Sequence, residues 1–375
     1  RFVGGVIGNL DSPATLLTED SDKGAIAGTF TNSGTVVGNS FVGGSLGFVG
    51  KNVTITAKNN VATLFVNDGE VNATGYFVGG SIGALVGKIQ GENSSVVVKF
   101  ENKKKVNATG YVGGSIGVLA GSTKFAQFVN SSTQDFTIAA CNSVGGSVGY
   151  IGMPDALKAV LNDYFQDDTY SDIDTTVQNV HFEANGNLTA EPTDATLDAA
   201  KKDANGNDVA DNLWGGVGGS IGVLGKRLTK WKDNTYYANG NVIAQNVNNV
   251  GGILGLINAN DITIGNLLAY NITVTGAKNV GGIVGATTGA KTVINSAYAI
   301  EGTFSATSAT KGAGDNVGGI IGLAKDDTDA STSYWVKGYA NSDIATYDVK
   351  DLSKLGFTTG KATTGWFFLY AKDAT

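Results

Sequence analysis

Nine copies of a Val-Gly-Gly-x-(Leu/Ile/Val)-Gly motif constrain this chain more than any other feature. They begin at Val3, Val42, Val78, Val112, Val144, Val217, Val250, Val280 and Val317. Their spacing lies between 30 and 39 residues, apart from one interval of 73. A sustained period of this length marks a repeat architecture, in which each unit buries its apolar face against its neighbours. The long interval is about two periods and leaves two readings open, a degenerate copy or an insertion.

Read as one strand, the motif alternates between two faces. Val78, Gly80, Ile82 and Ala84 fall on an apolar face, and Gly79, Ser81, Gly83 and Leu85 on a nearly bare one. Repeated glycine weakens a strand, so its recurrence implies close approach of another backbone. Copies two to six carry serine at the fourth position, Ser45, Ser81, Ser115, Ser147 and Ser220. The last three carry Ile253, Ile283 and Ile320. That change predicts a more buried face in the C-terminal third and a division into two regions.

Segments rich in β-branched residues lie between the motifs, among them Val53–Thr56, Val96–Phe100 and Ile272–Thr275. Turn signals such as Asn67-Asp68-Gly69 and Asn185-Gly186-Asn187 separate them. The predicted fold class is therefore all-β, a β-solenoid-like array of nine Val-Gly-Gly strands with one small insertion. Pro154 followed by Asp155–Leu161 predicts a short helix within that insertion. The expected divisions are 1–152, the insertion 153–212, a second repeat region 213–364 and an aromatic C-terminal strand 365–375.

Composition narrows the function classes. Of 375 residues 55 are Gly and only 3 are Pro, which excludes collagen-like and Pro-rich disordered chains. The apolar share of 42% supports a packed core, whereas charged residues reach only 16%. A surface of Asn, Thr, Ser and Gly suits a long-lived extracellular or cell-surface protein. The net charge of −7 argues against a nucleic-acid partner, and Lys103-Lys104-Lys105 reads as a solvated loop. No stretch has the roughly 18 apolar residues that span a bilayer. Beginning at Arg1 rather than Met points to a processed or trimmed N-terminus. The single cysteine, Cys141, permits no internal disulfide and reads as a small buried apolar residue.

The C-terminal copies resemble the GLUG repeat of bacterial surface proteins. Val280-Gly281-Gly282-Ile283-Val284-Gly285 leads to Gly289 and then to Asn295-Ser296-Ala297-Tyr298-Ala299. The N-terminal copies keep only the glycine core. The resemblance implies a β-solenoid-like module of secreted adhesins and some large surface proteases, and it carries no catalytic residues.

Candidate chemistry is sparse. The Gly-x-Ser-x-Gly matches around Ser45, Ser81, Ser115, Ser147 and Ser220 mimic a nucleophile elbow. An elbow occurs once, turns into a helix and needs a histidine base. Here the pattern repeats at the solenoid period, and the one histidine, His181, lies in an alternating strand. Asp203, Asn205 and Asn207 have the spacing of the first calcium-loop ligands, but the glycine is misplaced and no closing Glu follows. No cofactor is implied. Seven Asn-x-Ser/Thr sites, including Asn72, Asn107 and Asn130, permit glycosylation without indicating it. Trp214, Trp231, Tyr236 and Tyr237 near the insertion are candidate glycan contacts. Trp366, Phe367, Phe368, Leu369 and Tyr370 form the most aromatic run. It reads as a strand that caps its own array or joins the sheet edge of a second copy near Phe2 and Val3. The leading expectation is a secreted, non-enzymatic subunit that assembles with itself into a filament, sheath or surface layer. An adhesin or carbohydrate-binding module is second, and a glycan-active enzyme third.

Overall fold

The computed structural model describes residues 2–11, 14–16, 29–57, 62–138, 143–166, 170, 173–192, 215–307, 316–325 and 328–336. Cys141, Asp203, Asn205, Asn207, Trp214 and the 365–375 segment lie outside the described residues. Each motif opens one coil of a solenoid-like array, numbered here 1 to 9 from Val3 to Val317. Strands of successive coils stack as parallel ladders. The first sheet holds the Val-Gly strands, from Val3–Gly4 to Val317–Gly318. The second runs through nine strands, from Ile7–Leu10 to Ile321–Leu323. The third contains the longer β-branched and aromatic strands, such as Val98–Asn102 and Thr175–Asn185. A short fourth sheet joins Val36–Gly38, Val71–Ala73 and Val106–Asn107.

The motif is not one strand with two faces. It is a corner. Val78–Gly79 belongs to the first sheet, the chain bends at Gly80 and Ser81, and Ile82–Leu85 belongs to the second. The glycines follow from this bend. A Cβ on Gly79 would lie 2.1 Å from the Ile82 carbonyl oxygen, and one on Gly80 would lie 2.1 Å from that of Gly114. The bend also breaks the expected alternation. Ile82 and Leu85 both enter the main core, whereas Ala84 faces outward into a second apolar cluster.

The bare face expected of Ser45, Ser81, Ser115, Ser147 and Ser220 is a buried inner corner, and each of these serines is 0% exposed. Ile253 and Ile283 occupy the same position with the same burial. The serine-to-isoleucine change is therefore not a change in burial, and the second sheet runs through it without a break. Ser115, Ser147 and Ser220 donate to the carbonyl oxygens of Val129, Glu183 and Tyr237 at 2.8, 2.6 and 2.7 Å.

The 73-residue interval is coil 5 enlarged by inserted sequence, and not the whole of 153–212 is insertion: Thr175–Asn185 and Leu188–Pro192 are regular strands of the array, paired to the coils on both sides. Ser143–Gly145 pairs directly with Gly216–Gly218, and Val148–Ile151 with Ile221–Leu224, so neither sheet contains an extra coil there. The insertion includes helix α1, Asp155–Phe165, four residues longer than its sequence signal. Leu157 and Leu161 are its buried residues. They pack on the outward column of the second sheet, which includes Phe48, Ala84 and Val118. An antiparallel or open sheet would leave that side to water; here a helix makes it a second core.

Side-chain ladders run along the array. Phe30, Phe65, Phe100, Phe128, Phe182 and Tyr236 stack inside the core, with adjacent ring centroids 4.9–5.6 Å apart. Such offset pairs add about 1 kcal/mol each beyond their buried area. Beside them, the Nδ2 of Asn32 donates to the Oδ1 of Asn67, Asn67 to Asn102, and Asn102 to Asn130, each at 2.8 Å. The same amides also bond the turn carbonyls of Gly34, Gly69, Lys104 and Ser132, so the ladder ties coil to coil and closes each turn. Asn130 is 2% exposed and held at both ends of its amide, so this glycosylation motif is sealed inside the array.

Candidate functional site

Among the described residues, the third sheet opens between coils 6 and 7. In coil 6 the strand Leu228–Lys232 pairs with Thr175–Gln178 of coil 5 but with no strand of coil 7. Pairing between coils 6 and 7 resumes only at Tyr236, opposite Leu267. Thr263–Gly265 of coil 7 pairs onward to Val293–Asn295, which leaves its other edge free along the same stretch. Two strand edges therefore face each other across a cleft of about 250 Å³.

The register identifies the cause. One inward column of this sheet reads Ile55, Ile89, Thr123, Val177 and then Trp231. The column resumes beyond the cleft with Ile264 and Ile294. An indole occupies a position sized for a β-branched side chain. Its ring lies parallel to Phe182 at 6.3 Å and to Tyr236 at 6.2 Å. Interior packing tolerates little added volume, so Trp231 holds the ladder open as a wedge. A β-bulge assists it: Leu228 sits opposite Thr175 and Lys230 opposite Thr176, leaving Thr229 extra.

Asn234 forms the polar wall of the cleft. It is 4% exposed, and it extends the column of Val98, Ala126 and Val180. Its Oδ1 accepts from the Val180 amide at 3.0 Å, and its Nδ2 donates to the Val177 carbonyl at 3.1 Å. The amide is thereby fixed in one orientation. Lys232 and Asp233 stand exposed at the lip, with Thr263 and Asn266 across from them. Asp233 and Asn266 adopt positive φ of 55° and 60°, a conformation that short polar side chains tolerate. The cleft joins a flat aromatic edge to amide, hydroxyl, carboxylate and ammonium groups.

The sequence candidates divide around this cleft. Trp231 forms it. Tyr236 lies at its base, fully buried on Phe182, and burial pushes its hydroxyl pKa well up. Tyr237 points to the opposite, outer side of the third sheet, near Glu183. On that outer side His181 contacts Glu183 Oε2 at 3.2 Å and Thr235 Oγ1 at 2.8 Å. Burial pushes the Glu183 carboxyl up, but hydrogen bonds from His181 and Asn185 and the charges of His181 and Lys99 outweigh it and leave its pKa lowered. Phe2 does not offer a free aromatic edge. Its ring packs on Phe41 at 4.7 Å, Phe48 at 5.3 Å and Tyr164 of α1 at 4.8 Å. Val3 pairs with Val42.

The Asn234 wall was missed in the sequence. An Asn in a turn-rich chain carries no signal until the coils are aligned in register. Among the described residues, no group of three His, Cys, Asp or Glu could hold a metal ion, and no helix is long and apolar enough to cross a membrane. No protein-family model matches the chain, and no match emerges among curated proteins or solved structures.

Proposed function

We propose that this protein is a structural element of the cell exterior that assembles end to end with further copies of itself. The observation that carries this reading is that the recurring motif is wholly consumed in stacking. In coils 2–8 its valines fill the core, its glycines admit neighbouring backbone, and its serines are sealed in a corner. A repeated catalytic or ligand motif would instead present its polar atoms to solvent. Parallel ladders rise about 4.8 Å per coil, so nine coils make a body about 43 Å long. A ladder of this kind extends by adding coils in the same register. Low charge on the chain lowers the electrostatic barrier to association. The likeness to GLUG repeats points to the same setting.

Electron microscopy of purified material tests the proposal. Filaments with an axial repeat of about 43 Å or more are expected. Single rods that stay monodisperse up to millimolar concentration would sink it. The Gly365–Tyr370 segment is the candidate joint, and its deletion should abolish polymers while leaving the β signal unchanged.

A second reading is favoured by the Trp231 cleft, that of an adhesin or carbohydrate-binding module. The C–H face of a pyranose packs on an aromatic surface, and its hydroxyls pair with amides and carboxylates of the kind that line this cleft. Trp231→Val restores the residue type found at Val177 and should close the ladder. Loss of oligosaccharide binding in that variant, with gained amide protection at Lys230–Lys232, is the expected result. Binding that survives the substitution would remove the reading.

A further inference from the structure

A second concavity shares no lining residue with the Trp231 cleft. It lies where α1 begins above the outer side of the second sheet and measures about 380 Å³. Its floor is Tyr150, the coil-5 member of the outward column that contains Val118 and Val223. Tyr150 stands edge-on to Tyr111 at 5.6 Å and lies over Gly225. A Cβ on Gly225 would come 2.2 Å from the Tyr150 hydroxyl, so glycine there is what gives this ring its place. Coil 5 is also where the aromatic cluster under α1 meets the smaller cluster of Val223, Leu256 and Ala286. The cleft sits over that step.

Three cations converge on it. Lys158 comes from α1, and Lys226 and Arg227 come from the corner after the coil-6 strand Ile221–Leu224. Among the described residues, Asp155 is the one acidic residue in the lining. Neither Lys158 nor Lys226 has an ion-pair partner among the described residues. A local surplus of positive charge stands out on a chain whose net charge is −7. Burial, and secondarily the Asp155 charge, push the Tyr150 pKa up, which keeps its hydroxyl protonated and able to donate. Asn258 adds an amide from coil 7. Lysine, arginine, hydroxyl and amide donors around a half-enclosed space match an anionic oxygen group, for which charge-assisted bonds are the strong ones.

We infer that this cleft binds an oxyanion, either the carboxylate of an acidic sugar or a phosphate. The inference stands apart from the assembly reading and from the Trp231 cleft. Isothermal titration calorimetry on the full chain, with glucuronate, inorganic phosphate and neutral glucose as probes, tests it. An anionic probe should bind, more weakly as salt rises, and glucose should not bind at this cleft. Glucuronate tighter than phosphate assigns the site to acidic glycans, and the reverse order assigns it to free or esterified phosphate. Lys226→Ala and Lys158→Ala should each weaken binding about tenfold. Asp155→Asn should tighten it, because it removes the opposing charge. These side chains are exposed or half-exposed, so a far-UV circular dichroism spectrum equal to that of the parent is expected for all three. No anion binding by the parent, or binding indifferent to both lysine substitutions, overturns the inference.

Discussion

Coils 2–4 and coils 7–8 have the same backbone plan and opposite interiors. In the first group the inner corner is small and polar, with Ser45, Ser81 and Ser115, and the ladder beside it is large, with Asn67, Asn102 and Asn130. In the second the corner is large, with Ile253 and Ile283, and the neighbouring column shrinks to Ala269 and Ala299. The aromatic column changes likewise, from Phe65, Phe100 and Phe128 to Leu267 and Ala297. Between these two groups the gain at the corner is met by a loss beside it, as a close-packed interior requires, whereas coils 5 and 6 keep both positions small, with Ser147 and Ala184 in one and Ser220 and Ala238 in the other.

The asparagine ladder does not vanish in the second group; it moves to another corner. The residue before each motif is Phe41, Phe77 or Tyr111 in coils 2–4 and Asn249, Asn279 or Asn316 in coils 7–9. Asn279 donates to Asn249 at 2.9 Å, and Asn316 to Asn279 at 2.8 Å. Phe41, Phe77, Asn249 and Asn279 all have φ between 54° and 64°. Left-handed backbone is tolerated by Asn and costs about 1 kcal/mol or more with a bulky side chain. The aromatic corners persist because α1 and its neighbours cover them, with ring contacts from Phe2 through Phe41 to Phe77. Where asparagines stand in that corner, they bond to each other instead.

The largest expected effect comes from breaking the aromatic column. Phe100→Ala should cost about 3–5 kcal/mol in chemical denaturation, since its ring is fully buried between Phe65 and Phe128. Asn102→Ala should follow at about 3 kcal/mol. It removes a donor to Lys104 and Asn130 and leaves the Asn67 amide with the Gly69 carbonyl but without its acceptor in the next coil. A double-mutant cycle sharpens the comparison further. Ser81→Ile alone should overpack the corner by about 1–3 kcal/mol. Combined with Asn102→Ala it should show a favourable coupling of about 1 kcal/mol. Additive costs would mean that the corner and the ladder do not share volume.

Serine removal should distinguish neighbouring coils. Ser115→Ala gives up the bond to Val129 and should cost about 1 kcal/mol. The Ser81 hydroxyl is buried with no partner among the described residues, so Ser81→Ala should be neutral or slightly stabilising. The smallest effect is electrostatic. The Glu183 pKa is lowered from 4.5 in the folded chain, so its ionised form adds stability above about pH 4.5 that is lost as the pH falls through the folded value. Glu183→Gln should flatten the acid limb of a stability–pH curve, and an unchanged limb would place the acid sensitivity elsewhere.

The periodic glycines determined much of this protein by themselves. They set the period of the coils and marked the one interval that departs from it, because a corner that admits no Cβ must recur as glycine wherever a coil turns; whether that interval held a second coil or inserted sequence they left open. The helix after Pro154 was legible for the same local reason, a proline that opens an apolar repeat. What alternation alone could not show was that the motif bends in its middle, so its serines and isoleucines share one buried corner. Nor could it show which asparagines stack, that Trp231 stands in a column of β-branched residues, or that Lys158 meets Lys226 and Arg227. Those facts depend on register between coils 30 or more residues apart. Local propensity fixes the path of each coil, whereas volume and hydrogen-bond partners across coils exist only once the coils are stacked.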